Sequence, residues 1–242
     1  MVLTSLVLAL VAQPPYIIHA DGIPEPTRQR VERSLTRGTA LVENAMGAPF
    51  PHRFPVELAA HRRDFDRVTA AYWKMPPSEK WMVGAGASNV LILLSPDAWR
   101  KEAVEHDASS EKELDQIIAH ELTHVYHGQV CPRRDFDGMD DMGWFVEGLA
   151  VVVSGQLEMK YLGVARRAVE SGRGPQSLAA AWSGPHRYGV AGSMVKYLGE
   201  KWGRLVRDKA MRCTSTAQVL RLLGVSEAEF LAGWRGWLKE KS

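Results

Sequence analysis

Residues 113–129 read ELDQIIAHELTHVYHGQ. Leu114, Ile117, Ile118, Leu122 and Val125 fall on one face at 100° per residue, so the spacing predicts an amphipathic helix. Ser110 and Glu113 fit a capping box at its start, and Gly128 is the expected end. His120 and His124 are four residues apart, which stacks them on a face beside the apolar stripe, with Glu121 between the two. The run His120-Glu121-Leu122-Thr123-His124 is an HExxH pattern. Two imidazoles one turn apart can both reach a tetrahedral zinc ion at about 2.0–2.1 Å. The adjoining carboxylate can then take a proton from a water in the open position.

A catalytic zinc site needs a third protein ligand. A His six residues after His124 would complete one known spacing, but that position is Val130. His127 shares the helix, where reaching a metal already held by the other two is awkward, so it reads as an exposed residue or one supporting the ligands. The better candidate lies in GWFVEGLAVVV, residues 143–153, a helix apolar almost all round and so expected to be buried. Glu147 is its only charged residue. A buried carboxylate needs a proton, a cation or a metal. Zinc would meet that need and complete a His₂Glu set; a salt bridge to an arginine is the alternative. Gly148 would let another backbone approach closely. The intervening CPRRDFDGMDDMG, residues 131–143, fails a calcium-loop pattern at Met139 and reads as a solvated acidic loop at a cleft rim.

The rest of the chain narrows the class. Hydrophobic residues make up 45% and charged residues 24% of 242, which argues for a globular protein over a disordered, collagenous or polytopic one. The net charge of +2, without long single-sign runs, gives no electrostatic footprint for nucleic acid. The apolar run at residues 2–12, ending before Pro14-Pro15, is too short to span a bilayer but suits the core of a secretory signal, with Ala12 at a plausible cleavage point. No basic residue precedes Arg28, so the signal is truncated or the run is a buried first element; export follows from the first reading and a cytoplasmic location from the second. Cys131 and Cys213 could pair in an exported protein or remain buried thiols, and neither sits in a CxxC pattern.

Tyr16–His19, Val56–Leu58 and residues 90–94 read as strands, and residues 27–45 as a helix. After Ser110 the pattern is helical. The chain is therefore expected to be α+β, with a possible signal segment at 1–12, a β-containing part at 13–108, a helical part at 109–242 and a cleft where the last two meet. Gly84-Ala85-Gly86-Ala87 reads as a mobile rim or an ordinary loop. Trp144, Trp182, Trp202, Trp234 and Trp237 are spread along expected helices, which favours core positions over an aromatic interaction surface.

His120–His124 followed by the Trp-rich segment ending in EGLA, Trp144–Ala150, resembles the gluzincin metallopeptidases, the group containing thermolysin and aminopeptidase N. The match is closer to their compact bacterial peptidase families of the MA-like type, and in motif order it covers residues 56–240. Tyr188 opening a helix of small and apolar residues, and the closing VSEAEFLAGWRGWLKE at 225–240, are similar to the later part of that family. The resemblance implies a zincin-like fold and one zinc ion per chain on His120, His124 and Glu147. It implies Glu121 as general base and Tyr188 as a second donor to the reacting carbonyl, with His186 as its rival. It also implies a peptide or protein substrate added as a strand to the sheet edge, for which residues 89–95 are the best candidate. A zinc-stabilised binding protein without catalysis is the alternative. Two departures stand out. Glu147 follows His124 by 23 residues, slightly farther than in thermolysin-like enzymes, and Val151 stands where those enzymes carry an Asp that orients a ligand His. No aminopeptidase motif is evident, so the implied activity is that of an endopeptidase.

Overall fold

Five consecutive apolar residues with every side chain buried need cover on both faces, and VLILL at Val90–Leu94 has it. A computed structural model describes residues 13–241; the apolar run read as a signal lies outside them. Val90–Leu94 is β4 of a four-stranded sheet that also contains β1 (Tyr16–His19), β2 (Phe54–Ala59) and β3 (Gly84–Ala87). The order is β1-β2-β4-β3; β1, β2 and β4 are parallel, and β3 returns antiparallel along β4. The helix α1 (Glu25–Met46) links β1 to β2, and α2 (Arg62–Trp73) follows β2 and packs on β2 and β4. After α3 (Pro96–Glu102) the described chain is helical: α4 (Glu111–Val130), α5 (Gly143–Val153), α6 (Leu162–Glu170), α7 (Arg187–Trp202), α8 (Arg204–Ala210), α9 (Thr216–Leu223) and α10 (Glu227–Glu240). The architecture is α+β, a small sheet with a mostly helical remainder. No helix of the described residues is long and apolar enough to cross a membrane.

Two expectations about the sheet change places. Residues 89–95 do not form its edge: β4 lies between β2 and β3. The free edge next to α4 is β3, the GAGA segment expected to be a loop. Its composition has a packing cause. A Cβ on Gly86 would run into the Glu121 backbone oxygen, and one on Gly84 into the Glu121 side chain. Only a strand of minimal side chains can lie this close to α4.

The helix α4 starts as expected and ends later. Ser110 Oγ accepts from Glu113 N at 3.1 Å, but Glu113 does not close the box. Its carboxylate takes His106 Nδ1 at 2.7 Å and Asp107 N at 3.1 Å instead. Gly128 is inside the helix, which runs on to Val130. It is small because the β3–β4 turn and Arg134 press on it. Gln129 Nε2 fastens that turn by donating to Ser88 O at 3.0 Å.

Helices α5 and α7 meet through small residues. A Cβ on Gly148 would collide with the Ala191 carbonyl, and one on Gly192 with Val151. Trp144 and Trp234 are fully buried, while Trp182, Trp202 and Trp237 are partly buried against the core. Cys131 and Cys213 are both free thiols.

His127 is not exposed; it is fully buried. Its Nε2 donates to Met211 O at 3.1 Å, tying α4 to the end of α8, and its ring packs on Phe136 and Phe145. Burial, reinforced by the nearby charge of His124, pushes its pKa down from 6.5 to about 3. Between those values the unfolded chain binds more protons than the folded one, so stability falls as pH drops from 6.5 towards 3, by up to about 5 kcal/mol. Replacing His127 with Gln keeps a donor for Met211 O and removes the titration. Denaturant unfolding of the His127→Gln variant is expected to show a flatter pH dependence over that window; an unchanged slope would contradict the assignment.

Candidate metal centre

One ligand atom each from His120, His124 and Glu147 lies within 4.8 Å of the other two. Glu147 Oε2 is 3.3 Å from His120 Nε2 and 3.7 Å from His124 Nε2. Bonds of about 2.0–2.1 Å at tetrahedral angles need ligand atoms about 3.4 Å apart; both carboxylate–imidazole distances are close to this, and the widest pair, within 4.8 Å, would draw together around a zinc ion. The donor chemistry fits as well: two imidazoles and one carboxylate form a His₂Glu set. The alternative of an arginine partner for Glu147 is not found among the described residues; its ion pairs are with the two histidines.

Packing explains the convergence. The α4 helical spacing puts His120 and His124 in edge contact, ring centroids 4.8 Å apart. Both are 7% exposed. The apolar faces of α5 are buried against α4 and α7, which leaves Glu147 on the side turned to the histidines, with a quarter of its side chain open to the cleft. Burial alone would raise the Glu147 pKa and lower that of His124. Their mutual attraction, together with His120 and Glu121, outweighs it, so Glu147 titrates below the usual carboxylate range and His124 above the usual imidazole value.

His120 Nδ1 meets Gln156 Oε1 at 3.0 Å. An amide oxygen there accepts the Nδ1 proton and leaves the Nε2 lone pair facing Glu147 and His124. Gln156 therefore supplies the orientation that Val151 cannot. No residue motif announces it: it follows Gly155, which has φ 73°, and precedes the π-helical turn Leu157–Tyr161. His124 Nδ1 has no partner among the described residues.

Glu121 borders the same centre. Burial raises its pKa, with the His120 and His124 charges and a hydrogen bond from the Gly86 backbone pulling the other way. Tyr188, at the start of α7, has its ring 6.3 Å from that of His120, stacked on Tyr161 and edge-on to Trp182. Burial first, then the Glu147 charge, raises its pKa well above the usual phenol value. Its rival His186 does not line the cleft. That cleft has a volume of about 810 Å³ and is lined by His120, Glu121, His124, Glu147, Tyr188 and β3, with Asp135, Asp137 and Asp140 on its rim. Asp141 turns away and receives Thr216 N at 2.8 Å, at the start of α9.

No family profile and no curated protein matches this chain. Among solved structures it is similar to a variant of a two-domain M1 zinc metallopeptidase bound to L-arginine. The TM-score is 0.40 and the identity 16%, over 92% of this chain and 47% of that one, so the chain spans about half the length of this neighbour. A likeness that slight fixes neither fold nor activity.

Removing the Gln156 amide frees His120 to rotate. The Gln156→Leu variant is expected to fold normally and to bind zinc about 10–100-fold more weakly in a chelator competition. Unchanged affinity would show that His120 needs no such partner.

Proposed function

We propose that this chain is a zinc-dependent peptidase, cutting a peptide bond within a bound segment. The observation that carries the reading is the convergence of His120, His124 and Glu147 in a cleft that also holds Glu121 and Tyr188. At about 810 Å³ the cleft is within the range of sites that take sizeable ligands.

His120, His124 and Glu147 would hold the ion. Zinc, when bound, supplies Lewis-acid polarisation of a carbonyl and activation of a water. Glu121 is the general base. It accepts a proton from the water as the oxygen adds to the scissile carbonyl carbon, then delivers that proton to the amine nitrogen as the C–N bond breaks. Its burial favours this role, because a carboxylate whose pKa is raised is a stronger base than an exposed one. Tyr188 stays protonated over the working range and donates its hydroxyl hydrogen to the carbonyl oxygen as negative charge builds there.

The substrate backbone adds to the free edge of β3. An antiparallel ladder alternates inward and outward pairs, and Leu94 N donating to Val83 O fixes the phase. The backbone groups of Gly84 and Gly86 therefore face outward; Gly86 N–H is engaged by the Glu121 carboxylate, which leaves Gly84 N–H and the two carbonyls for the substrate.

Two variants separate metal binding from chemistry. Glu121→Gln is expected to retain about one zinc per chain and lose 10²–10⁴-fold or more in peptide hydrolysis, on the order of general-base removal. Glu147→Ala is expected to lose the zinc itself. Metal content by mass spectrometry and cleavage of an unbiased peptide library check both. Normal turnover in either variant would overturn the roles, and zinc uptake without cleavage by the wild type would favour a binding protein.

A further inference from the structure

The cleft changes sign along β3. At the Ala87 end, Ser88 N donates to Arg134 O at 3.4 Å and fastens the acidic loop to the β3–β4 turn. Asp135, Asp137 and Asp140 border that half. Past the Gly84 end a second pocket of about 330 Å³ opens, sharing His120, Glu121, Gly84 and Tyr188 with the main cleft. Its cations are Arg187 and Lys160.

Arg187 is held by aromatic rings and by a hydrogen bond to the Tyr188 side chain. Its guanidinium carbon lies 5.1 Å from the Trp182 ring centroid, 5.4 Å from Tyr188 and 5.9 Å from Trp81. No carboxylate forms an ion pair with it among the described residues, and the same holds for Lys160, which sits over Tyr161 at 5.4 Å. The other charged groups around this pocket are Glu121 on its inner side, Glu105 at its exposed rim and His106, which is engaged by Glu113 and the Trp81 carbonyl. With one of its five N–H donors on Tyr188, a guanidinium held on aromatic faces keeps the others for a planar anion, and a carboxylate can take two of them in parallel hydrogen bonds.

Resting on the peptidase reading, we propose that Arg187 is a specificity-determining residue that binds a substrate carboxylate on the leaving-amine side of the cleaved bond. Antiparallel addition to β3 sets this direction. A peptide so placed runs from the Ala87 end to the Gly84 end, its amino side passing the aspartates and its carboxyl side reaching Arg187. The carboxylate is either the peptide's C-terminus or an Asp or Glu side chain.

Two peptide pairs distinguish the sources. Starting from a library peptide that the zinc-loaded wild type cleaves, one pair differs as free acid against carboxamide. The second pair, both carboxamides, differs as Glu against Gln on the leaving side. In one pair or both, the carboxylate member is expected to have at least tenfold higher kcat/KM, mostly through KM. Arg187→Gln brings that ratio close to one, and Arg187→Lys retains part of it. Because Arg187 also touches Tyr188, the ratio is the reading: an effect through Tyr188 alters both members equally. Calorimetric binding of the same pairs to the Glu121→Gln protein gives the same comparison without turnover. A response only in the first pair assigns a terminal carboxylate, and a response only in the second assigns a side chain. No preference in either pair, a preference for acid on the amino side, or a ratio untouched by Arg187→Gln overturns the proposal. If no library peptide is cleaved, the peptidase reading fails, and binding of acetyl-Ala-Ala-Leu-Ala-Ala as acid and amide still decides for or against Arg187.

Discussion

The Glu147 carboxylate sits where α4, α5 and α7 meet, with only a quarter of its side chain open to the cleft, and a charge so placed is costly unless something opposite meets it. The two imidazoles of α4 do so, at 3.3 and 3.7 Å. Much of the surrounding structure can be read as what holds these three groups together. Gly148 and Gly192 let α5 and α7 close up on one another. His127 anchors α4 to the segment after α8 from the far side. Gln156 turns the His120 ring so that its free nitrogen faces inward.

The same close packing shapes the cleft. Because β3 carries only glycine and alanine, it lies directly on Glu121, and that contact dries the carboxyl and raises its pKa. A bulkier edge strand would stand away from α4 and leave Glu121 better solvated. The close cover over Glu121 and a bare strand edge thus share one cause, the absence of side chains on Gly84 and Gly86.

The core of the site was legible in the sequence because its signals are local. A four-residue spacing on an amphipathic helix places His120 and His124, and a lone acid on an apolar helix marks Glu147. The β4 run was equally plain. What escaped depends on contacts between distant segments. GAGA has poor strand propensity, and only the proximity of α4 explains it. Gln156 stands at no fixed spacing from His120 and reaches it through an irregular turn. The burial of His127 depends on Met211, 84 residues on. Glu113 leaves its expected capping role because His106 and Asp107 compete for the same carboxylate.

The central claim is that one zinc ion is held by two histidines and a glutamate. X-ray absorption at the zinc edge of the metal-loaded protein tests it directly. The account predicts about one zinc per chain, with two imidazole nitrogens, oxygen in the remaining positions and no sulfur. A sulfur shell from Cys131 or Cys213, a single imidazole, or failure to take up zinc would contradict it.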